Sequence, residues 1–136
     1  MNLLLDTNVC IYLIRQRPVE VLRRFEEHEV GEIGVSSITA AELYFGVRKS
    51  RYADQNAQAL EQFLLPLEIA EFGFEAAVAY GGIRATLEKQ GTPVGPLDTL
   101  IAAQAVSLGA TLITNNTREF TRVPNLKLDN WVSDHA

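Results

Sequence analysis

The sequence predicts an α/β fold in three layers, with helices on both faces of a mostly parallel central sheet of about four to five strands. Three observations carry that prediction. Short apolar runs recur at NLLL, GEIGVSSIT, LEIAEF and ATLIT, each too brief to be a helix by itself. Longer segments between them have helical patterning, and strands that alternate with helices pair in parallel through crossovers. Pro18, Pro66, Gly91 and Gly109 stand at the joints, where chain breaks are expected.

Residues 2–5 read as a buried first strand and residues 7–15 as the helix after it. Pro18 opens a second helix that runs to about His28. A strand follows around 33–35, then a helix from Ala40 to about Lys49. The segment 53–65 reads as helix and stops before Pro66, residues 67–72 as the third strand, and 74–90 as a long helix closed by Gly91. After the turn TPVGP comes an apolar helix over 97–108, ended by Gly109, then a fourth strand over 110–114. LKLDNW near residue 130 is the candidate fifth strand.

At 136 residues the chain is expected to form a single domain, 1–136, large enough to bury about two thirds of its unfolded surface. There is no linker, low-complexity tract or internal repeat. No apolar run reaches the roughly 20 residues of a membrane helix, and the N-terminus lacks the basic and apolar regions of a signal peptide. The lone Cys10 forms no intrachain disulfide and fits a reducing cytoplasm, where it reads first as a small buried hydrophobe. The net charge of −5 argues weakly against a nonspecific nucleic-acid binder. Cations nevertheless cluster, at Arg15, Arg17, Arg23 and Arg24 and again at Arg48, Lys49 and Arg51. Solvated helix faces and a phosphate-tracking surface explain those clusters equally well.

The acids are more informative. Asp6 follows three leucines, an expensive place for an ionised group unless it is paired, metal-bound or at an element's end. Glu42 is expected in the first turn of the third helix and Asp98 at the start of the apolar helix, while the fourth strand runs into TNNTREF with Asn115, Asn116 and Glu119. Each acid has a local explanation. Asp6 can cap the helix from Thr7, Thr39 and Glu42 match a capping box, and Asp98 after Pro96 complements a helix dipole. Together they suggest more. All fall at strand ends or the starts of following helices, where an open parallel sheet forms its ligand crevice. Clustered carboxylates require a proton or a cation, and an all-oxygen set suits Mg²⁺ or Mn²⁺. The histidines, His28 and His135, lie away from these motifs.

LLLDTNVCIYLI, SSITAAELYFGVRKS, GTPVGPLDTLIAAQA and LITNNTREFTRVPNLKLDNW, in that order and spacing, resemble the PIN-domain ribonucleases, and within them the VapC toxins of bacterial toxin–antitoxin pairs. The resemblance spans nearly the whole chain and implies a PIN-like α/β/α fold. It also implies a Mg²⁺-dependent endoribonuclease, with Mn²⁺ able to substitute, in which Asp6, Glu42 and Asp98 are the metal-binding, catalytic carboxylates. Thr7, Asn8, Thr114 and Asn115 match polar residues that order the site. Asn116 stands where many members carry a fourth aspartate, so Asn116 or Glu119 becomes the candidate for that position.

The implied substrate is structured RNA, foremost the anticodon loop of a tRNA, an initiator tRNA included. Arg15, Arg17, Arg48 and Lys49 are the candidate RNA contacts, and Tyr44 and Phe45 are either RNA, core or dimer contacts. The implied partners are a second copy of the chain, a cognate VapB-type antitoxin that enters the acidic groove with a basic residue, and promoter DNA reached only through that antitoxin; a larger hetero-oligomer is consistent with them. A haloacid-type phosphatase wants a second acid where Asn8 stands. A two-component receiver wants an acidic pair and a lysine that are not evident, and a histidine-based ribonuclease wants paired histidines. A catalytically silent RNA- or protein-binding domain is the remaining alternative.

Overall fold

The computed structural model describes residues 1–29 and 31–132. The elements run β1 (Leu3–Leu5), α1 (Thr7–Arg15), α2 (Val19–Glu26), β2 (Ile33–Ser36), α3 (Ser37–Arg48), α4 (Ala53–Leu64), β3 (Glu68–Ala70), α5 (Phe74–Gln90), α6 (Pro96–Leu108), β4 (Thr111–Ile113), α7 (Thr117–Phe120) and β5 (Lys127–Asp129). The strands form one sheet in the order β3-β2-β1-β4-β5, and every pairing is parallel.

Neighbouring residues of each central strand serve opposite faces, as the pleat requires. Leu5, Val35 and Ile113 join Val9, Leu13, Leu60 and Trp131 in a core under α1 to α4. Leu4 and Leu112 join Ile83, Leu87, Ile101 and Phe120 in a second core under α5 to α7. Burial on both faces explains why the strands read as continuous apolar runs and not as alternating ones. Gly34 in β2 is required by close approach. A Cβ there would meet the Sδ of Met1 and lie 2.7 Å from the carbonyl oxygen of Glu68.

Several expected boundaries move. The third helix begins at Ser37, not Ala40, because Ser36 is its N-cap and accepts a hydrogen bond from the Ile38 amide. Thr39 therefore lies inside the helix, and the expected Thr39–Glu42 capping box does not form. Glu42 sits in the second turn, not the first. The second helix starts at Val19, with Pro18 as its cap, and ends at Glu26. The third strand is trimmed to Glu68–Ala70, and the short α7 is an addition. Cys10 is wholly buried, and loss of hydration pushes its thiol well above the usual range. Among the described residues, no helix is long and apolar enough to cross a membrane.

Candidate active site

The sheet order fixes the site. From β1 the chain winds outward through β2 to β3, then returns to the other side of β1 for β4 and β5. The strand ends of β1 and β4 thus form a topological switch point, where a crevice opens at the carboxyl edge. Asp6 ends β1 there, its amide bonded to the Ile113 carbonyl of β4 at 3.0 Å.

Asp6 is 5% exposed and caps α1, its Oδ1 accepting from the Val9 amide at 2.8 Å. Burial raises its carboxyl above the ordinary range; the Thr114 hydroxyl and the Val9 and Asn8 amides oppose that rise, and the charge of Glu42 adds to it. Glu42 is half-buried, and its Oε1 accepts from the Thr7 hydroxyl at 2.6 Å. Asp98 lies in the first turn of α6, whose N-cap is Gly95. Its carboxyl is pushed up to about 6, first by burial and then by the negative charges of Glu119, Glu42 and Asp6, in that order. One carboxyl therefore senses all the other three.

Glu119 is held by the backbone as well as by a side chain. Its Oε1 accepts from the Gly95 amide at 2.7 Å, and its Oε2 from Asn116 Nδ2 at 2.6 Å. Gly95 leaves a cradle beside both acids, since a Cβ there would lie 3.6 Å from Glu119 Oε1 and 3.8 Å from Asp98 Oδ2. Thr114 is fully buried and its Oγ1 accepts from the Asn116 amide at 2.9 Å, fixing the turn that follows β4.

The remaining expected residues sort themselves by position. Asn8 is exposed, and Asn115 accepts from Asn130 at 3.3 Å, outside the acidic group. Arg15, Arg17, Arg48 and Lys49 are all exposed. Arg15 lines a cavity of about 330 Å³ between α1, α3 and α4, which opens beside Thr7 and Glu42. His28 is engaged elsewhere, stacked on Trp131 at 5.5 Å, and His135 lies outside the described residues.

Sequence reasoning missed two contributors. Gln104 of α6 is 2% exposed, accepts from the Ser36 hydroxyl at 2.6 Å and donates to the Glu71 carbonyl at 2.9 Å. It locks the helix bearing Asp98 to the cap of the helix bearing Glu42. An amide alone in the apolar run LIAAQAV was its only signal. Gly95 was missed because its role is carried by a backbone amide.

The PIN-domain family model matches residues 3–126. The chain belongs to the PIN-domain family. Among curated members, Ribonuclease VapC2 of Haemophilus influenzae is 46% identical over 132 residues, covering 97% of this chain and 99% of that protein. The tRNA(fMet)-specific endonuclease VapC of Shigella flexneri is 40% identical over 131 residues, covering 96% and 98%. A DNA-bound VapBC structure from Salmonella typhimurium matches with a TM-score of 0.92 at 39% identity, over 97% of this chain and 99% of that one. VapBC2 of Rickettsia felis, solved with a fragment of its promoter, matches at 0.90 and 41%, over 97% and 100%. This PIN domain stands in the VapC group.

PIN-domain nucleases depend on divalent metal ions. In kind, the residues here fit such an ion: the donors are carboxylate oxygens, and their mutual repulsion is relieved by a hard cation. In their present rotamers, among the described residues, no three acidic, histidine or cysteine side chains come together closely enough to hold one. Asp6, Glu42 and Glu119 each accept from a protein donor, and each carboxylate keeps lone pairs for an ion beside that bond.

Proposed function

We propose that this chain is the toxin ribonuclease of a toxin–antitoxin pair. It acts as a single PIN domain that hydrolyses phosphodiester bonds in structured RNA with a divalent ion, Mg²⁺ or in its place Mn²⁺. What supports the reading is the crevice at the carboxyl edge of the sheet, where Asp6 follows β1, Thr7 holds Glu42, and the Gly95 amide holds Glu119 beside Asp98, in a chain of the VapC group. The names of the relatives support the substrate class. The Shigella flexneri protein is called a tRNA(fMet)-specific endonuclease, and the anticodon loop of a tRNA is the foremost substrate here, initiator tRNA included.

In this reading Asp6 and Asp98 hold the ion, Glu42 is a further ligand or the base for the attacking water, and Glu119 or Asn116 fills the fourth position. The ion lowers the pKa of water and neutralises charge on the phosphoryl group. Thr7 keeps Glu42 at the crevice edge, Thr114 fixes the turn behind Asp6, and the Val9 amide orients one Asp6 oxygen. Asn8 and Asn115 border the site, and Arg15, Arg17, Arg48 and Lys49 are surface cations available to phosphates. The products carry 5′-phosphate and 3′-hydroxyl ends. In the cytoplasm a VapB-type antitoxin restrains the enzyme, a homodimer is its unit, and promoter DNA is met through the antitoxin.

Cleavage of a tRNA substrate with and without EDTA, followed by chemical analysis of the new ends, tests this. Chelation abolishes the reaction and Asp98→Asn strongly impairs it. Turnover that survives chelation, or cyclic phosphate ends, contradicts the mechanism. A silent binding domain is the second reading, favoured by the protein donors that occupy Asp6, Glu42 and Glu119; it requires partner binding with no turnover under any divalent ion.

A further inference from the structure

The other cation cluster of the sequence, Arg15, Arg17, Arg23 and Arg24, lies against no exposed aromatic ring among the described residues. Arg24 bridges to Asp129 at 3.1 Å, and Arg84 to Glu88 at 3.1 Å. The corner where α3 turns into α4 is different. Arg48, Lys49 and Arg51 fall within four positions, and the flanking segment 43–53 contains no acid. Among the described residues, none of the three forms an ion pair.

Aromatic rings stand exposed among them. Phe45 is 66% exposed and Tyr52 60%, which removes Phe45 from the core. Lys49 Nζ lies 5.0 Å from the centre of the Phe45 ring, and Arg51 Cζ lies 5.7 Å from that of Tyr52. The corner thus presents two exposed ring faces, each with its own cation, on a chain of net charge −5.

The corner adjoins a cavity that reaches Glu42, one acid of the crevice, although Phe45, Lys49, Arg51 and Tyr52 do not line it. The cavity that begins at Thr7 and Glu42 runs along α3 past Gly46 and Val47 to Ser50 at the turn. Glu42 and Phe45 lie one turn apart on α3, and Lys49 one turn further, so the whole path spans about 10 Å.

We infer that the α3–α4 corner is a stacking platform for unpaired bases of the RNA substrate, with Phe45 and Tyr52 as the stacking surfaces and Arg48, Lys49 and Arg51 gripping the adjoining phosphates. The inference rests on the ribonuclease reading above and names where the substrate lies. Single-stranded RNA is bound by this combination, because every base has a π-face and every linkage a charge. An RNA is favoured by the run of three unpaired cations with no acid over residues 43–53, which suits a string of phosphates.

The test is fluorescence anisotropy of the full chain in EDTA, with a labelled RNA hairpin carrying an unpaired loop and a blunt RNA duplex as control. Wild type prefers the hairpin. Phe45→Leu and Tyr52→Leu keep apolar bulk and lose the ring, and each weakens hairpin binding by about 5- to 150-fold, the range for one stacked base. Phe45→Trp retains binding. Lys49→Gln and Arg51→Gln each flatten the slope of log affinity against log salt by about 0.7. Unfolding midpoints of the ring variants verify that they are folded. Hairpin affinity unchanged in both ring variants overturns the platform while leaving the ribonuclease reading intact. A wild-type chain that neither binds nor cleaves any RNA overturns both. Loss of self-association or of antitoxin binding, with hairpin affinity unchanged, makes the corner a protein interface and ends the proposal.

Discussion

The hydroxyl of Thr7 donates to Oε1 of Glu42 at 2.6 Å, joining the first residue of α1 to the second turn of α3. These residues lie 35 apart in sequence, and the bond holds one acid of the crevice against the helix that the other acid, Asp6, caps. Thr7→Val keeps the β-branched shape and removes the donor. The loss is about 1 kcal/mol of stability in urea denaturation, the usual net worth of such a bond. Cleavage drops about 10- to 100-fold, as when a ligand loses its outer partner. Full activity in Thr7→Val would leave Glu42 without a positioned role.

The pH dependence of the ion-free protein follows from Asp98. Its carboxyl rises from 3.8 to about 6 on folding, so the folded chain holds that proton more tightly than the unfolded one. The stability this contributes is complete below pH 3.8 and is lost as pH rises through about 6. Asp6 shifts in the same direction. The melting temperature in EDTA therefore falls across that window, and Asp98→Asn flattens the fall while removing cleavage. Mn²⁺ restores stability above pH 6, by about 2.7 kcal/mol at one hundred times its dissociation constant. A flat wild-type profile would mean that neither burial nor the neighbouring acids hold the Asp98 proton in the folded chain.

Glu119 separates two roles that one carboxylate can play. In Glu119→Gln the amide oxygen can still accept from the Gly95 amide, but its NH₂ then faces the NH₂ of Asn116. Stability falls by about 1 kcal/mol. Titration with Mn²⁺ also weakens if Glu119 is a ligand; an unchanged titration removes it from the ion and leaves it a brace for the Gly95 turn.

Gln104→Leu tests the link between α6 and α3. The substitution strands the donor of the buried Ser36 hydroxyl and unpairs the part-buried Glu71 carbonyl, which costs about 1–3 kcal/mol, chiefly through Ser36. Ser36→Ala alone also loses the cap on Ile38, yet the double variant is less destabilised than the sum of the two single ones, because the orphaned hydroxyl is gone. Strict additivity in the double-mutant cycle would refute the coupling.

Much of this was legible in the residues. The helices over 7–15 and 74–90 have the expected bounds, since one starts at an aspartate cap and the other ends at a glycine in the left-handed region. Asp6 follows β1 and Glu42 lies in the helix after β2, so strand-then-helix order carries both toward the carboxyl edge; Asp98 opens α6, which follows α5 and no strand, and its place beside Glu119 comes from the Gly95 turn. What failed was local choice among equivalent signals. Ser36, Ser37 and Thr39 can all cap a helix, and only tertiary packing selects Ser36, which displaced both the helix start and the capping box. Four residues of α7 are too few to show a period. The tie between Gln104 and Ser36 joins residues distant in sequence, and no single segment announces it.

The central strand has a kinetic consequence. Leu3 pairs with Thr111, so the strand that carries Asp6 finds its second neighbour only near the far end of the sequence. Contacts of that range form slowly and late. A polypeptide still leaving the ribosome already holds Asp6 and Glu42, yet β4 and the turn behind Asp6 have not been made. The crevice is consequently assembled only once translation is almost complete.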